Sequence, residues 1–267
     1  MNLALFVHHL RQSRLRLLAV VAGLTVWGAL MPIIYATFGV TLRDIGRQFP
    51  ALEQMMRFGG GNVFTLPGSI ALGYIHPIAI ALLAVFAIAF PLSAVAGERQ
   101  RGTLEVVLSR PISRRAYYAA VLLSATFFVA LAIAATLVGA GAAATLFDVG
   151  NELEYANLPA LWLHGTMLYI AIAAISLAAS VSFDRLAPAA SVTLAIVLVS
   201  YFLHVLGSLW PDAEWLQRYS MFYYLDPETV LTEGTQPIDL AVLAVVAIIG
   251  IFYALIVFPR RDVGAPA

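Results

Sequence analysis

Three histidines are the residues of this chain best suited to metal or proton chemistry. His76, His164 and His204 each lie near one end of an apolar segment of helical length. Imidazole nitrogens are common ligands of zinc and copper, and they exchange protons close to neutral pH. If the three segments are neighbours, the histidines form one polar cluster. The simpler interpretation is three separate histidines at similar depth, which predicts no metal site on this chain.

Motifs of the common catalytic classes are missing from the sequence. It contains no Gly-x-Ser-x-Gly, no His-Glu-x-x-His and no paired carboxylates within an apolar stretch, which argues against a hydrolase. Cysteine is absent, and all fifteen basic residues are arginine. Since a phosphate-binding P-loop needs a lysine, we expect no enzyme activity and no cofactor on this chain. The net charge of zero gives no indication of a nucleic-acid partner.

Residues 97–115 carry the most informative polar pattern, GERQRGTLEVVLSRPISRR. Gly102 precedes a short helical pattern that Thr103 can cap. Leu104, Val107 and Leu108 follow at helical spacing, so they form one apolar face. An apolar stripe on a charged loop can dock on lipid or on a protein partner.

The local chemistry also predicts where this short helix ends. A residue before proline avoids helical angles, so Arg110 and Pro111 end the helix, and Ser113 then caps the next one. Glu98 and Glu105 can each pair with a nearby arginine, an exposed contact worth about 0–1 kcal/mol. The simplest role of the segment is to hold its arginines on one side of a membrane. The more specific interpretation is a docking surface.

The elements that position these residues are predicted to be membrane-spanning helices. Apolar residues make up 61% of the chain and charged residues 11%, whereas soluble domains are typically about 25% charged. Six charge-free stretches are each long enough for the roughly twenty residues of a spanning helix, and they are continuously apolar, unlike barrel strands. The absence of ionisable Asp, Glu or Arg within them argues against an ion-coupled carrier. The predicted spans are residues 17–40, 77–96, 117–146, 160–182, 187–210 and 240–259.

The distribution of arginine predicts the orientation of these helices. Cytoplasmic loops are enriched in Lys and Arg. One side of the predicted topology holds eleven of the fifteen arginines, so that side is expected to be cytoplasmic, with both termini on it. The eleven are Arg11, Arg14, Arg16, Arg99, Arg101, Arg110, Arg114, Arg115, Arg185, Arg260 and Arg261.

Four smaller features complete the expected architecture. Residues 2–16 have apolar residues at helical spacing and are predicted to form a separate amphipathic helix on the inner membrane surface. The segment 58–68 is rich in Gly and is predicted to be a loop. Pro91 removes a backbone hydrogen bond and is either a hinge or a static kink. Gly139 and Gly141 predict close helix packing, either within one subunit or across a dimer.

The polar segment resembles the signature G-E-x-x-x-G-T-L-E-x-x-L-S-x-P-I-S-R of type-2 ATP-binding-cassette (ABC) exporter permeases. In that family the segment is a coupling helix that sits in a groove of the ATPase subunit. Residues 2–16, 66–74 and 210–234 resemble its connecting helix and two external segments, although the lysine often found early in its third helix is missing around Val121. The resemblance implies ATPase contacts by Glu98, Gly102, Thr103, Leu104, Glu105, Leu108, Ser109, Arg110, Pro111, Ser113 and Arg114.

The resemblance implies an all-α permease subunit that forms one domain over residues 1–267 and spans the plasma membrane several times. ATP and Mg²⁺ would be bound by a partner ATPase subunit, and a second, identical or related permease would complete the transporter. The expected cargo is a hydrophobic or amphipathic compound such as a drug, antibiotic or lipid. Two alternatives remain open: a permease that serves cofactor or metal-centre assembly in the cell envelope, and a membrane assembly protein without transport activity.

Overall fold

The computed structural model describes residues 3–48, 62–109 and 111–261, and within these ranges it contains helices and no strand. Six of its helices are long and apolar enough to cross a membrane, which confirms the predicted all-α fold with six spans. Arg110 and the predicted loop residues 58–61 lie outside the described ranges. The α-helices, with two π-helical turns counted within α3, are α1 Leu3–Gln48, α2 Leu66–Ile75, α3 Pro77–Gln100, α4 Thr103–Leu108, α5 Arg114–Leu146, α6 Leu158–Ser182, α7 Leu186–Leu209, α8 Pro227–Glu233 and α9 Pro237–Arg260.

The first helix differs from the prediction. Residues 3–16 do not form a separate helix, because α1 continues without a break through 46 residues. At about 1.5 Å per residue it is about 69 Å long, more than twice the roughly 30 Å core of a bilayer. The physical reason is that no glycine or proline occurs before Gly23, so nothing ends the helix at the junction with the first span.

The short helix α2 begins where a loop was predicted. The Thr65 side chain accepts a hydrogen bond from the Gly68 N–H at 3.1 Å and so caps α2, which places residues 66–68 in its first turn. The helix ends at His76, which is extended because Pro77 follows it. The spanning helix α3 then starts at Pro77, as the sequence predicts.

The backbone of α3 is irregular around its proline. Two π-helical turns, Val85–Ala89 and Ser93–Gly97, lie on either side of Pro91. The Ser180 hydroxyl of α6 lies 3.3 Å from the Pro91 carbonyl oxygen and accepts a hydrogen bond from the Ala96 N–H at 2.8 Å. Side chains of neighbouring helices commonly bond the backbone groups that such interruptions free within membranes. The interruption of α3 is therefore supported by α6.

The core of the bundle depends on close approach between helices. A Cβ atom on Gly139 of α5 would lie 2.0 Å from the Thr25 carbonyl oxygen of α1, and one on Gly28 would lie 2.1 Å from the Thr136 carbonyl oxygen. Small residues allow such contact between backbones. Gly139 therefore packs within the subunit, whereas a Cβ on Gly141 would lie 3.9 Å from the Tyr155 ring, its nearest contact among the described residues apart from the backbone of α5 itself. The central helix is α6, which contacts α3, α5, α7 and α9.

The end of the bundle opposite to α4 is closed by a packed cap. Phe222 and Leu225 are fully buried just before α8. The Glu228 carboxylate of α8 accepts hydrogen bonds from the Asn62 N–H at 2.9 Å and from the Thr65 hydroxyl at 3.2 Å. These contacts fix α8 against the start of α2, so a buried and hydrogen-bonded cap covers this end.

Candidate functional site

The short helix α4 is held by a turn that depends on Gly102. This glycine has φ of 72°, in the left-handed region that favours glycine. The sequence predicts that Thr103 caps α4, and this prediction is wrong. The Thr103 hydroxyl instead donates to the backbone oxygen of Glu98 at 3.2 Å and to the Glu98 carboxylate. The predicted pairing of Glu98 with an arginine is confirmed, since Arg101 forms an ion pair with it. The turn before α4 is thus stabilised by contacts among its own side chains.

The apolar face of α4 points into the protein. Leu104 is 1% exposed and belongs to the main hydrophobic core, while Val107 and Leu108 are partly buried against that core. The stripe predicted to dock on a partner therefore packs on the chain's own helices, the nearest apolar surface available to it. The free face of α4 carries Glu105 and Val106, and Val106 is 66% exposed.

A groove of about 1020 Å³ lies between α4 and the start of α1. Leu3 and Val7 of α1 line one side of it, and Val106 and Pro111 line the other. Leu3, Val7 and Val106 are all exposed. Several large apolar side chains in one exposed groove are typical of a surface that binds another molecule.

Three elements at this end of the bundle meet at Asp184. Its carboxylate pairs with Arg99 at the end of α3 and with Arg261 at the end of α9, each at 3.1 Å. The Gln100 side-chain oxygen also accepts a hydrogen bond from the Leu186 N–H at 2.8 Å. Sequence reasoning missed this cluster, although it had already placed Arg99 and Arg261 on the same side of the membrane. What it lacked was the knowledge that α3, α6 and α9 end side by side.

The residues that follow α4 are fastened to the last helix. Ser113 caps α5 as predicted, with its hydroxyl accepting a first-turn N–H at 3.1 Å. The Arg114 guanidinium donates to the carbonyl oxygens of Phe258 at 3.4 Å, of Pro259 at 3.3 Å and of Arg261. Basic side chains stabilise the unpaired carbonyls at helix ends in this way. Arg114, a predicted partner contact, therefore links α5 to the end of α9.

The remaining predicted contact residues divide into exposed and undescribed ones. Ser109 and Pro111 are exposed beside the groove, and the Ser109 hydroxyl bonds the Val106 carbonyl oxygen at 2.9 Å. Arg110 lies outside the described residues. The structure therefore brings Glu105, Val106, Ser109 and Pro111 together on one accessible surface, which we call the α4 surface.

The three histidines do not form one metal-binding group. Partial burial lowers the pKa of His76, whose Nδ1 accepts a hydrogen bond from the Ile78 N–H at 3.3 Å. His164 accepts one from the Gln236 N–H at 3.2 Å, and His204 is buried near the end of α7. No set of three or more His, Cys, Asp or Glu side chains within the described ranges is arranged to hold a metal ion. The structure gives each histidine its own surroundings.

Comparison with known families assigns nearly the whole chain. Residues 5–259 match the family described as multidrug efflux system permease Rv1217c, C-terminal domain. This match confirms the assignment to ABC exporter permeases, for which residues 97–115 were the strongest sequence indication. A comparison with curated proteins finds no match.

Proposed function

The chain belongs to the family of the Rv1217c multidrug efflux permease C-terminal domain, and on that premise we propose that it is the membrane-spanning subunit of an ATP-driven exporter. A separate ABC ATPase subunit binds ATP and Mg²⁺, and this chain contributes the translocation path. The cargo is a hydrophobic or amphipathic compound, such as a drug, an antibiotic or a lipid.

One observation carries this proposal: α4 presents an exposed surface while its ends are fastened to membrane-spanning helices. Glu105 and Val106 are exposed above the buried Leu104. Only the turn at Arg101 and Gly102 separates α4 from α3, and Arg99 at the end of α3 pairs with Asp184. A displacement of α4 by a partner therefore moves several membrane helices together, because packed elements transmit strain.

The groove beside α4 supplies a second contact for the ATPase. Leu3 and Val7 expose apolar side chains across the groove from Val106. Protein interfaces typically surround a few apolar anchors with a polar rim. Glu105 and Ser109 would contribute to such a rim.

The orientation and assembly follow from the charge pattern and the packing. The α4 end holds most of the arginines and faces the cytoplasm of a cell whose plasma membrane the chain spans. Both ends of the described chain lie on that side. Because α6 fills the centre of the subunit, the path lies between this chain and a second, identical or related permease.

Co-purification tests the proposal. The chain is produced with the ATPase encoded beside its gene, and the amount of ATPase recovered per permease is measured for the variants Glu105→Arg and Val106→Asp. We expect about a tenfold loss of recovered ATPase, because each change places an unfavourable charge in the contact. Leu104→Asp is unsuitable, because it buries a charge in the core and unfolds the permease itself.

Glu154→Arg is the matched control. This residue is also an exposed glutamate, but it lies at the opposite end of the bundle. The control variant should retain the ATPase, and all variants should insert into membranes and melt at the wild-type temperature. Undiminished recovery of the ATPase with both α4 variants would mean that this surface is not its dock.

A further inference from the structure

Two cavities near α4 share a wall. One, of about 480 Å³, lies between α1, α3 and α7, and the other, of about 450 Å³, lies between α1, the end of α3 and the start of α5. Ser13, Arg16, Phe90 and Ser93 line both of them. Because the two cavities share these side chains, they adjoin. A single ligand can therefore occupy both, with one part of the molecule in each cavity.

The larger cavity, which we call the apolar chamber, has the size of a lipid chain. It runs along α3 from Ala81 to Ser93, and Ala190 and Leu194 of α7 face it. Twelve positions of helix correspond to about 18 Å, slightly more than half of the roughly 30 Å bilayer core. The chamber therefore has about the depth of the hydrocarbon of one leaflet. The π-helical turn Val85–Ala89 lies along it, and such turns are frequent at functional sites.

The smaller cavity, which we call the polar chamber, has an uncompensated positive charge. Arg16, Glu98 and Arg101 line it together with His8 and Gln12. The Glu98 carboxylate is already paired with Arg101. Within the described residues, no hydrogen bond or ion pair neutralises Arg16. A guanidinium group in that position favours a phosphate or carboxylate, with which it can form two parallel hydrogen bonds.

We propose that the joined chambers bind an anionic lipid-like amphiphile, with its headgroup at Arg16 and its chain in the apolar chamber. The proposal rests on the proposed function only in taking the α4 end as cytoplasmic, so that the ligand comes from the inner leaflet. The headgroup then lies beside the Glu98–Arg101 pair that holds the turn before α4. The bound amphiphile thereby touches both α3 and the segment that leads to the α4 surface.

Lipid binding to the purified full chain tests this inference without ATP or an ATPase. Native mass spectrometry in a neutral detergent would measure apparent Kd values for phosphatidylglycerol and for phosphatidylcholine with the same acyl chains. We expect saturable binding of phosphatidylglycerol, about tenfold tighter than that of phosphatidylcholine. Inorganic phosphate at the same concentration should not displace the lipid, because it cannot fill the apolar chamber.

Variants of each chamber separate the two contributions. Arg16→Gln should reduce the preference for phosphatidylglycerol about tenfold, and Ala190→Phe should weaken binding of both lipids by filling the apolar chamber. Arg14→Gln is the matched control, since Arg14 is exposed on the same helix and lines neither cavity.

Equal affinity for the two lipids, displacement by inorganic phosphate, or an equal effect of the Arg14 and Arg16 changes would each overturn the inference. Melting temperatures check that every variant is folded. Such a result would leave the exporter proposal intact, because that proposal depends on recovery of the ATPase.

Discussion

The close contact between α1 and α5 provides a sharp test of the packing. Gly139 and Gly141 lie on the same helix, and neither has a positive φ, so alanine strains the backbone at neither position. An alanine Cβ at 139 would lie 2.0 Å from the Thr25 carbonyl oxygen, whereas the nearest described contact of one at 141, outside the backbone of α5, would be the Tyr155 ring at 3.9 Å. The same substitution therefore has different consequences two residues apart.

The expected magnitude follows from these distances. Ordinary contact begins at 3.4 Å, so α1 and α5 must separate by about 1.4 Å to admit the Gly139→Ala methyl group. Overpacking costs about 1–3 kcal/mol, and the cost should lie near 3 because a helical carbonyl cannot rotate away. Alanine also gains about 1 kcal/mol over glycine in a helix. The net change in the free energy of unfolding is then a loss of about 2 kcal/mol for Gly139→Ala and a gain of about 1 kcal/mol for Gly141→Ala.

Unfolding of the purified chain in mixed micelles by increasing sodium dodecyl sulfate, followed by circular dichroism, measures both changes. The variants should shift the midpoint in opposite directions. A Gly139→Ala variant as stable as the wild type would refute the close approach of α1 and α5. An equal loss in Gly141→Ala would show that the helix, and not this contact, is sensitive to substitution.

Two further matched pairs test contacts that join the helices. Ser180→Ala leaves the buried Ala96 N–H without its acceptor and should lower the free energy of unfolding by about 1–3 kcal/mol. Ser176→Ala removes only a hydrogen bond within α6 and should cost less than about 0.5 kcal/mol. Equal melting temperatures for the Ser180 and Ser176 variants would contradict the hydrogen bonding of α3 by α6. Arg114→Gln should cost about 1–2 kcal/mol, because it removes the donor to the end of α9. Arg115 is an exposed neighbour, so Arg115→Gln should cost less than about 0.5 kcal/mol in the same melting assay. A larger loss of stability for Arg115→Gln than for Arg114→Gln would argue against the contact with α9.

Much of the fold could be predicted because a membrane limits the options. A charged side chain in hydrocarbon is costly, so charge-free stretches mark the spans directly. The limits of α4 were also predictable from local chemistry. Gly102 supplies the left-handed turn before Thr103, and the helix ends at Leu108, shortly before Pro111.

Two points about α3 and α4 could not be predicted without knowledge of neighbouring segments. Thr103 is a good capping residue by type, but the Glu98 side chain competes successfully for its hydroxyl. The interruption of α3 at Pro91 was expected, whereas the role of Ser180 in bonding it was not. Both points concern a side chain whose partner lies outside its own helix.

The sequence by itself determined the number of spans, the extent of α4 and the assignment to a permease family, because these depend on local composition and on a contiguous motif. Only the tertiary structure decided which face of α4 is free. An amphipathic helix turns its apolar side towards whatever apolar surface is nearest, and here that surface belongs to the same chain and buries Leu104. The ion pairs of Asp184 with Arg99 and Arg261 likewise depend on the tertiary structure, because they form only where the ends of α3, α6 and α9 lie side by side.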